Sequence, residues 1–541
     1  MANYVQIDST TPRILAGGDG LFIRAGINLM ALSQDAILNT DQQAGIAVLI
    51  DGGATSMADD GIDLDGSLSS DPFRIDVGET GVLRAAPGAA DFAGVEIDGA
   101  AGLRLGNRGE IVGGSGLRLA GSGPAAIENA GAISGLASGG AALWGSLLEA
   151  LDLANGGEMT GATGVSLAGC DAAITNLGAI VGTEGAAIAH LGGDLSVVNR
   201  GTVAGAPDAA AGIQAEGSGA DRVALGGDGA TTGLSGASLA GFASAVVVND
   251  GLILGLGLGG GAARFGLGVF GAGTLRLENA GAIRGENGVV AQAAQATIRN
   301  GGEIAATGAG GTALDAGGPA SGGLLILRND GVIAAADVAV RSGAGLDRVR
   351  NLGEIAGDVD LGDGADQLRN GRGDVTGDVR LGAGNDTFRG GSGEIGGRVL
   401  GGDDNDTLLG GRDDDDWFEG GGGHDLMKGR GGDDVIRGGF GQDTLAGGPG
   451  DDELTGGALA DVFRFGRRAG EDEILDFEDG VDAIHLRALA LDGARLQAVK
   501  DASAAISGTA VVIDLTELGG DGSVVVQGLT VALMTADDFI F

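Results

Sequence analysis

Between residues 401 and 464 a nine-residue unit repeats seven times, as GGDDNDTLL, GGRDDDDWFE, GGGGHDLMK, GRGGDDVIR, GGFGQDTLA, GGPGDDELT and GGALADVFR, and only the second copy is a residue too long. Each copy opens on a glycine-rich stretch, places an aspartate sixth and an apolar residue eighth, as at Leu408, Ile436, Leu445, Leu454 and Phe463. Six glycine-rich residues can take the positive backbone angles of a tight turn, and the remaining three make a minimal strand that buries one side chain. Two units then form one coil of a flattened solenoid. Turns on one edge stack at strand spacing, about 5 Å, which brings the aspartates of alternate units together. The segment holds fourteen Asp and two Glu against five Arg or Lys, a net charge of −11 over sixty-four residues. Carboxylates at that density repel unless a cation neutralises them. Carboxylate and carbonyl oxygens on flexible turns suit calcium better than magnesium, which demands stricter octahedral geometry.

These units resemble the RTX, or haemolysin-type, calcium-binding repeat. The resemblance implies a parallel β-roll with several calcium ions held between stacked turns by the sixth-place aspartate and by turn carbonyls. Carried onto this chain, the implied metal aspartates are Asp406, Asp415, Asp425, Asp434, Asp443, Asp452 and Asp461, with Asp404 and Asp413 in the same turns. The turn glycines implied beside them are Gly401, Gly410, Gly420, Gly423, Gly429, Gly432, Gly438, Gly441, Gly447, Gly450 and Gly456. Two turns upstream, LGDGAD and LGAGND, have the same chemistry and add Gly362, Gly364, Asp366, Gly382, Gly384 and Asp386. Coils aligned from Asn351 onward have this chemistry on one edge only until Gly410, and no hinge is expected between about 350 and 400.

A solenoid also suits the whole chain of 541 residues, which has 115 glycines, 7 prolines and 3% aromatics beside 43% apolar residues. That composition can line a thin aliphatic core but lacks the aromatics that anchor globular ones. A net charge of −42 argues against nucleic acid or an anionic membrane surface as partner, and no apolar window is long enough to span a membrane. Cys170 is the single cysteine, so an intrachain disulfide is excluded, and its apolar surroundings suggest a small buried side chain.

A second repeat governs the first two thirds. The pattern aliphatic-x-Asn-x-Gly-x-aliphatic occurs at Asn107, Asn129, Asn155, Asn176, Asn199, Asn249, Asn279, Asn300, Asn329 and Asn351, and one coil around 221–235 lacks its Asn. Strand, Asn-Gly turn, strand, loop, strand at intervals of 21 to 30 residues is the layout of a parallel β-helix with three short strands per coil. Stacked asparagines can form an amide ladder, so these residues are structural, and the glycine is expected to permit a left-handed turn. Over residues 100 to 357 the pattern resembles that of bacterial secreted and surface β-helical proteins.

The segment 465–486 resembles the one that closes the repeats in serralysin-type proteins, with Asp472, Asp476, Asp479 and Asp482 open to calcium or to turn hydrogen bonding. The N-terminal MANYVQIDSTTPR lacks a Sec-type signal, and TADDFIF resembles the uncleaved signal of type I secretion substrates. Catalytic patterns are missing: His190, His424 and His485 are separated, and neither GxSxG nor GxxxxGK[ST] occurs.

The expected fold is all-β: a parallel β-helix solenoid continuing into a calcium-binding parallel β-roll with a C-terminal cap. Its expected divisions are a cap and irregular first coils (1–100), β-helix (101–357), transition coils (358–400), RTX β-roll (401–464), and cap with secretion signal (465–541). The expected role is that of a secreted calcium-binding protein, extracellular or at the cell surface, that folds after passage through a type I exporter and is structural, adhesive or surface-layer-like. Cell-surface polysaccharide and self-association stay open as partners. The alternative is a polysaccharide lyase or epimerase on a β-helix with an RTX module.

Overall fold

The computed structural model describes residues 47–541 apart from 51–52, 57–59, 66–72, 86–91, 99–101, 122, 147, 208–210, 257–263, 318–322, 413, 487–488, 490–494 and 507, together with short strands within 1–46. These residues form two compact units, 1–293 and 294–541. The first part of the expected N-terminal cap lies largely outside the described residues.

In the first unit, short strands of alternating apolar and polar residues stack in parallel, each on the strand one coil away. Leu103–Asn107 pairs with Ala125–Asn129, then Ala150–Asn155, Asp171–Asn176 and Leu195–Asn199. A second column runs through Glu110–Gly113 and a third through Ser115–Ala120, with the same in-register stacking. Because strand side chains alternate between faces, Leu105, Ile127, Leu153, Ile174 and Val197 line up inside one column, all buried. Three parallel columns around an aliphatic core make this unit a parallel β-helix.

The asparagines end the strands of the first column and are bonded to one another. Asn107 Nδ2 donates to Asn129 Oδ1 (2.8 Å), and the pattern continues through Asn155, Asn176 and Asn199 at 2.7 to 2.9 Å. In the degenerate coil Gly227 takes the Asn place, opposite Asn249; Asn199 Nδ2 reaches Thr231 Oγ1 (3.3 Å) in place of an amide and keeps the bond to the next coil's carbonyl, Ala230 (2.9 Å), that the other asparagines make. The expected reason for the glycine after each Asn is corrected. Gly131, Gly157 and Gly178 do not have a positive φ; a Cβ on any of them would collide with the carbonyl oxygen of the matching glycine one coil upstream. Close stacking, not turn handedness, demands glycine there.

A second correction concerns the first hundred residues. The three-strand coil is already regular at Phe73–Val77, Val82–Arg84 and Ala93–Asp98, each paired with its counterpart in the next coil. Val77 sits opposite Asn107, so the coil is present without the ladder residue that marks it in the sequence.

The second unit begins in the same style. Asn300, Asn329, Asn351 and Asn370 continue an amide row at 2.9 Å per step. Strands stack without a break from Leu324–Asn329 through Arg348–Asn351, Gln367–Asn370 and Thr387–Arg389 to Thr407–Leu409. Val359, Leu368, Val379 and Phe388 are fully buried between them, so no hinge interrupts 350–400. Beyond Val399 each coil has only two strands, such as Trp417–Gly423 with Leu426–Lys428 and Val435–Gly441 with Thr444–Ala446. The nine-residue unit contributes one inward side chain per strand, and the core thins to Phe418, Ile436 and Leu454 facing Leu408, Met427, Leu445 and Phe463, all fully buried. The stack ends where Gly522–Gln527, parallel to Gly470–Ile474, is joined antiparallel by Ala510–Asp514. Phe539–Ile540 pairs with Ile484–His485 on the other strand.

Replacing one amide in the ladder leaves its two neighbours with unmet buried groups, which costs about 1–3 kcal/mol. Asn155→Ala should therefore lower stability by that amount in denaturant unfolding of the calcium-saturated protein. An unchanged midpoint would show that the amide row is not supporting the fold.

Candidate metal centre

The repeat turns place their aspartates in two buried rows, one on each edge of the second unit. On the first edge Asp366, Asp386, Asp406, Asp425, Asp443 and Asp461 occupy the same place in successive coils, none more than 2% exposed. The main-chain NH of each donates to Oδ1 of the next at 2.7 to 2.8 Å, and Asp461 NH donates to Asp482 Oδ1 at 2.9 Å. The second edge has the same construction from Asp416 through Asp434 and Asp452 to Asp472, at 2.8, 2.9 and 3.1 Å. It starts later because the place two residues before the inward apolar side chain is Gly397 in the coil upstream.

One carboxylate oxygen per rung is thereby used, and in most rungs the other is left over; at Asp416, the first of the second row, it accepts the Gly411 NH at 2.8 Å. Oδ2 of Asp366, Asp386, Asp406, Asp425, Asp434, Asp443, Asp452 and Asp461 is buried without a hydrogen-bond partner. The first glycine of each unit keeps the space beside that atom open. A Cβ on Gly401 or Gly420 would strike Oδ2 of Asp406 or Asp425 and come within 2.5 or 2.6 Å of the carbonyl oxygen of Gly420 or Gly438 in the next coil. Gly429, Gly438, Gly447 and Gly456 stand in the same relation to Asp434, Asp443, Asp452 and Asp461, and Gly410 to Asp416. Gly362, Gly364, Gly382, Gly384, Gly423, Gly432, Gly441 and Gly450 take positive φ in the same turns. Among the described residues no three His, Cys, Asp or Glu side chains converge. The donors on offer are carboxylate oxygens with main-chain carbonyls, the hard oxygen set that calcium takes. The residues fit a calcium ion.

Burial also decides the electrostatics. Desolvation, reinforced by neighbouring carboxylates, pushes Asp366, Asp406 and Asp434 up to about 8 and Asp461 to about 7. Burial carries Asp386, Asp416 and Asp425 to about 6. Burial also raises Asp452 and Asp472, the latter reinforced by the neighbouring Asp452 carboxylate.

Some assignments change. Asp415 is exposed, and the buried rung of the ten-residue copy is Asp416, which keeps the place two residues before Phe418. Counting back from the buried apolar residue would have found it. Asp404 is exposed with φ 78° and stands outside the buried row, although its charge helps raise Asp386 and Asp406. Asp413 lies outside the described residues. Asp482 ends its row with both oxygens bonded, Oδ2 by the Glu478 NH at 2.8 Å, and Asp476 accepts from the Gly456 and Gly457 NH groups, so turn hydrogen bonding accounts for both. Sequence reasoning passed over Asp347, fully buried at the head of the first row; its spacing of nineteen residues from Asp366 was the available signal.

Residues 379–394, 411–445 and 428–463 match the RTX calcium-binding nonapeptide repeat, in four copies. These are RTX calcium-binding repeats. The solution structure of the AlgE6R3 subunit from the Azotobacter vinelandii mannuronan C5-epimerase is similar at 30% sequence identity, over 26% of this chain and 78% of that one, with a TM-score of 0.20. No curated protein matches the chain in sequence.

The raised carboxyls make the calcium-free RTX roll pH-sensitive in a definite direction. Between an unfolded pKa of about 4 and folded values of about 6 to 8, the folded roll binds more protons than the unfolded chain. Its stability then falls as pH rises through that window. With chelator present, the roll should melt at a lower temperature at pH 8 than at pH 5, and calcium should restore it most at pH 8, where its ligands are deprotonated. Equal melting at both pH values in chelator would contradict this picture.

Proposed function

We propose that the protein is exported through a type I exporter and works outside the cell as a calcium-folded solenoid with a structural or adhesive role. The observation that supports this most is the pair of buried aspartate rows, in which eight rungs from Asp366 to Asp461 have one oxygen unpartnered. Where calcium is scarce, burying these carboxylates is unfavourable and the segment from about 358 to 464 stays expanded by self-repulsion. Millimolar external calcium binds the folded state alone and draws the equilibrium towards it by mass action. In this reading the ligands on the first edge are Asp366, Asp386, Asp406, Asp425, Asp443 and Asp461, and on the second Asp416, Asp434 and Asp452, with carbonyls of the turn glycines. Coils 358–400 form the transition in which only one edge is loaded. The β-helix needs no cation, because its amides satisfy one another.

A second reading, action on or attachment to a polysaccharide, is favoured by one feature of the first unit. A groove of about 700 Å³ runs across successive coils, lined by Arg104, Ala126, Asp152, Ala173 and Ala224, which share one outward row, together with Asp171, Asp194 and Arg222. Guanidinium and carboxylate groups interspersed with small residues suit a sugar chain carrying hydroxyls and carboxylates. The lining contributes no His, Tyr or Lys, the groups such lyases and epimerases use to move a proton from carbon. We therefore take it as a holding groove.

Calcium titration of the chelator-treated full chain, followed by far-ultraviolet circular dichroism, should add β signal with a midpoint of about 0.1–1 mM, the range of extracellular sites. A spectrum indifferent to calcium would reject the first reading. Depolymerisation or epimerisation of any member of a panel of uronic-acid polysaccharides would bring the enzyme reading forward.

A further inference from the structure

The amide row and the carboxylate row overlap in one coil. Asn351 continues the amides, and just ahead of its strand stands the turn Ser342–Asp347, SGAGLD, upstream of every residue matched by the RTX pattern. Asp347 is fully buried and behaves as a rung: its NH donates to Asp366 Oδ1 at 2.7 Å, and its own Oδ1 accepts the Leu325 NH at 2.6 Å. Its Oδ2 has no partner, and neither has the Oγ of Ser342, which is 6% exposed and holds the first place of the turn. The hydroxyl lies close enough to the carboxyl to temper the upward push that burial gives it, yet the two are not aligned as a hydrogen bond. Two unmet oxygens on one buried turn, with the unmet Oδ2 of Asp366 one coil below, are donors awaiting a common acceptor.

The carbonyls are arranged to match. A Cβ on Gly362 would collide with the Gly343 oxygen and one on Gly364 with the Gly345 oxygen, as Gly382 and Gly384 stand to Gly362 and Gly364. The turn at 342–347 therefore stacks on 361–366 as that turn stacks on 381–386. One coil further up, Leu325 occupies the aspartate's place, and the row ends.

We propose that the turns 342–347 and 361–366 form a calcium site whose donors are the Asp347 and Asp366 carboxylates, the Ser342 hydroxyl and the main-chain carbonyls of the intervening glycines. The inference rests on reading the orphaned oxygens of the repeat rows as calcium ligands, and extends it to a coil without a recognisable repeat. Because the adjoining strand ends in an amide rung bonded on both sides, Asn329 to Asn351 to Asn370, this coil keeps its shape without calcium. The site is thus the place where calcium meets a wall already built, and it seeds the calcium-dependent coils below.

Two measurements on the full chain decide it. In crystals of the unaltered protein soaked with terbium, an anomalous peak is expected between Asp347 and Asp366 as well as between the downstream pairs. In equilibrium dialysis with calcium, Asp347→Asn, which keeps an Oδ1 acceptor for Leu325, should bind one ion fewer than the unaltered chain. Peaks at the downstream pairs with none at Asp347, or an unchanged ion count in the variant, would overturn the site while leaving the proposed function standing. No ion at any pair would remove the proposed function and this site together. Should the variant not fold, the terbium map of the unaltered protein still gives the answer.

Discussion

In-register stacking is the constraint from which the rest of this structure follows. When each coil lies on the next with its equivalent residue directly above, any polar side chain that faces along the stack meets a copy of itself. An amide tolerates this, since it carries both donor and acceptor: Asn107 gives a hydrogen bond downward while Asn129 receives it and gives one in turn. A carboxylate does not, because it only accepts. The aspartate rows solve half of the problem by taking a main-chain NH at Oδ1, as Asp425 takes that of Asp406, and most of them leave Oδ2 for a cation. Exchanging amide for carboxylate at a stacked position thus turns a self-sufficient solenoid into one that depends on what its surroundings supply.

The ends of the rows support that contrast. Asp482 receives the Asp461 NH on one oxygen and the Glu478 NH on the other, so this last carboxylate is satisfied by turn amides. Asp538 is likewise fully buried with NH groups of Gly480 and Thr535 directed at it. Where the stack stops, a loop folds back to provide donors. Within the stack the second oxygen of the rungs from Asp366 to Asp461 stays bare, except at Asp416, where the Gly411 NH reaches it.

Much of this was legible in the sequence, because a repeat shows its period and its inward residue directly. The amide positions, the two-strand coils and the first-edge rungs from Asp366 to Asp461 can be counted from the letters alone. The structure adds what counting from the wrong end concealed. Asp416 was hidden by an insertion among four consecutive aspartates, and Asp347 by a turn that opens on serine and has Leu346 where the repeats mostly have small or polar residues. The first coils were concealed by Val77, which preserves the strand but not the signature. The role of glycine after each Asn was misjudged for a different reason: a letter cannot say whether glycine answers a backbone angle or a neighbour's carbonyl.

The ten-residue copy at 410–419 has a wider meaning. Its additional residue leaves Asp416 and Phe418 aligned with their neighbours. Mutational change in such a chain is therefore sharply directional. Sideways, a turn tip can gain or lose single residues; along the axis, only an entire coil can be added or removed, since a fraction of one would set amide against carboxylate and lining against surface. Duplication of whole coils is the natural route by which this architecture lengthens, and its turns are where a single residue can be gained while the buried rungs keep their register.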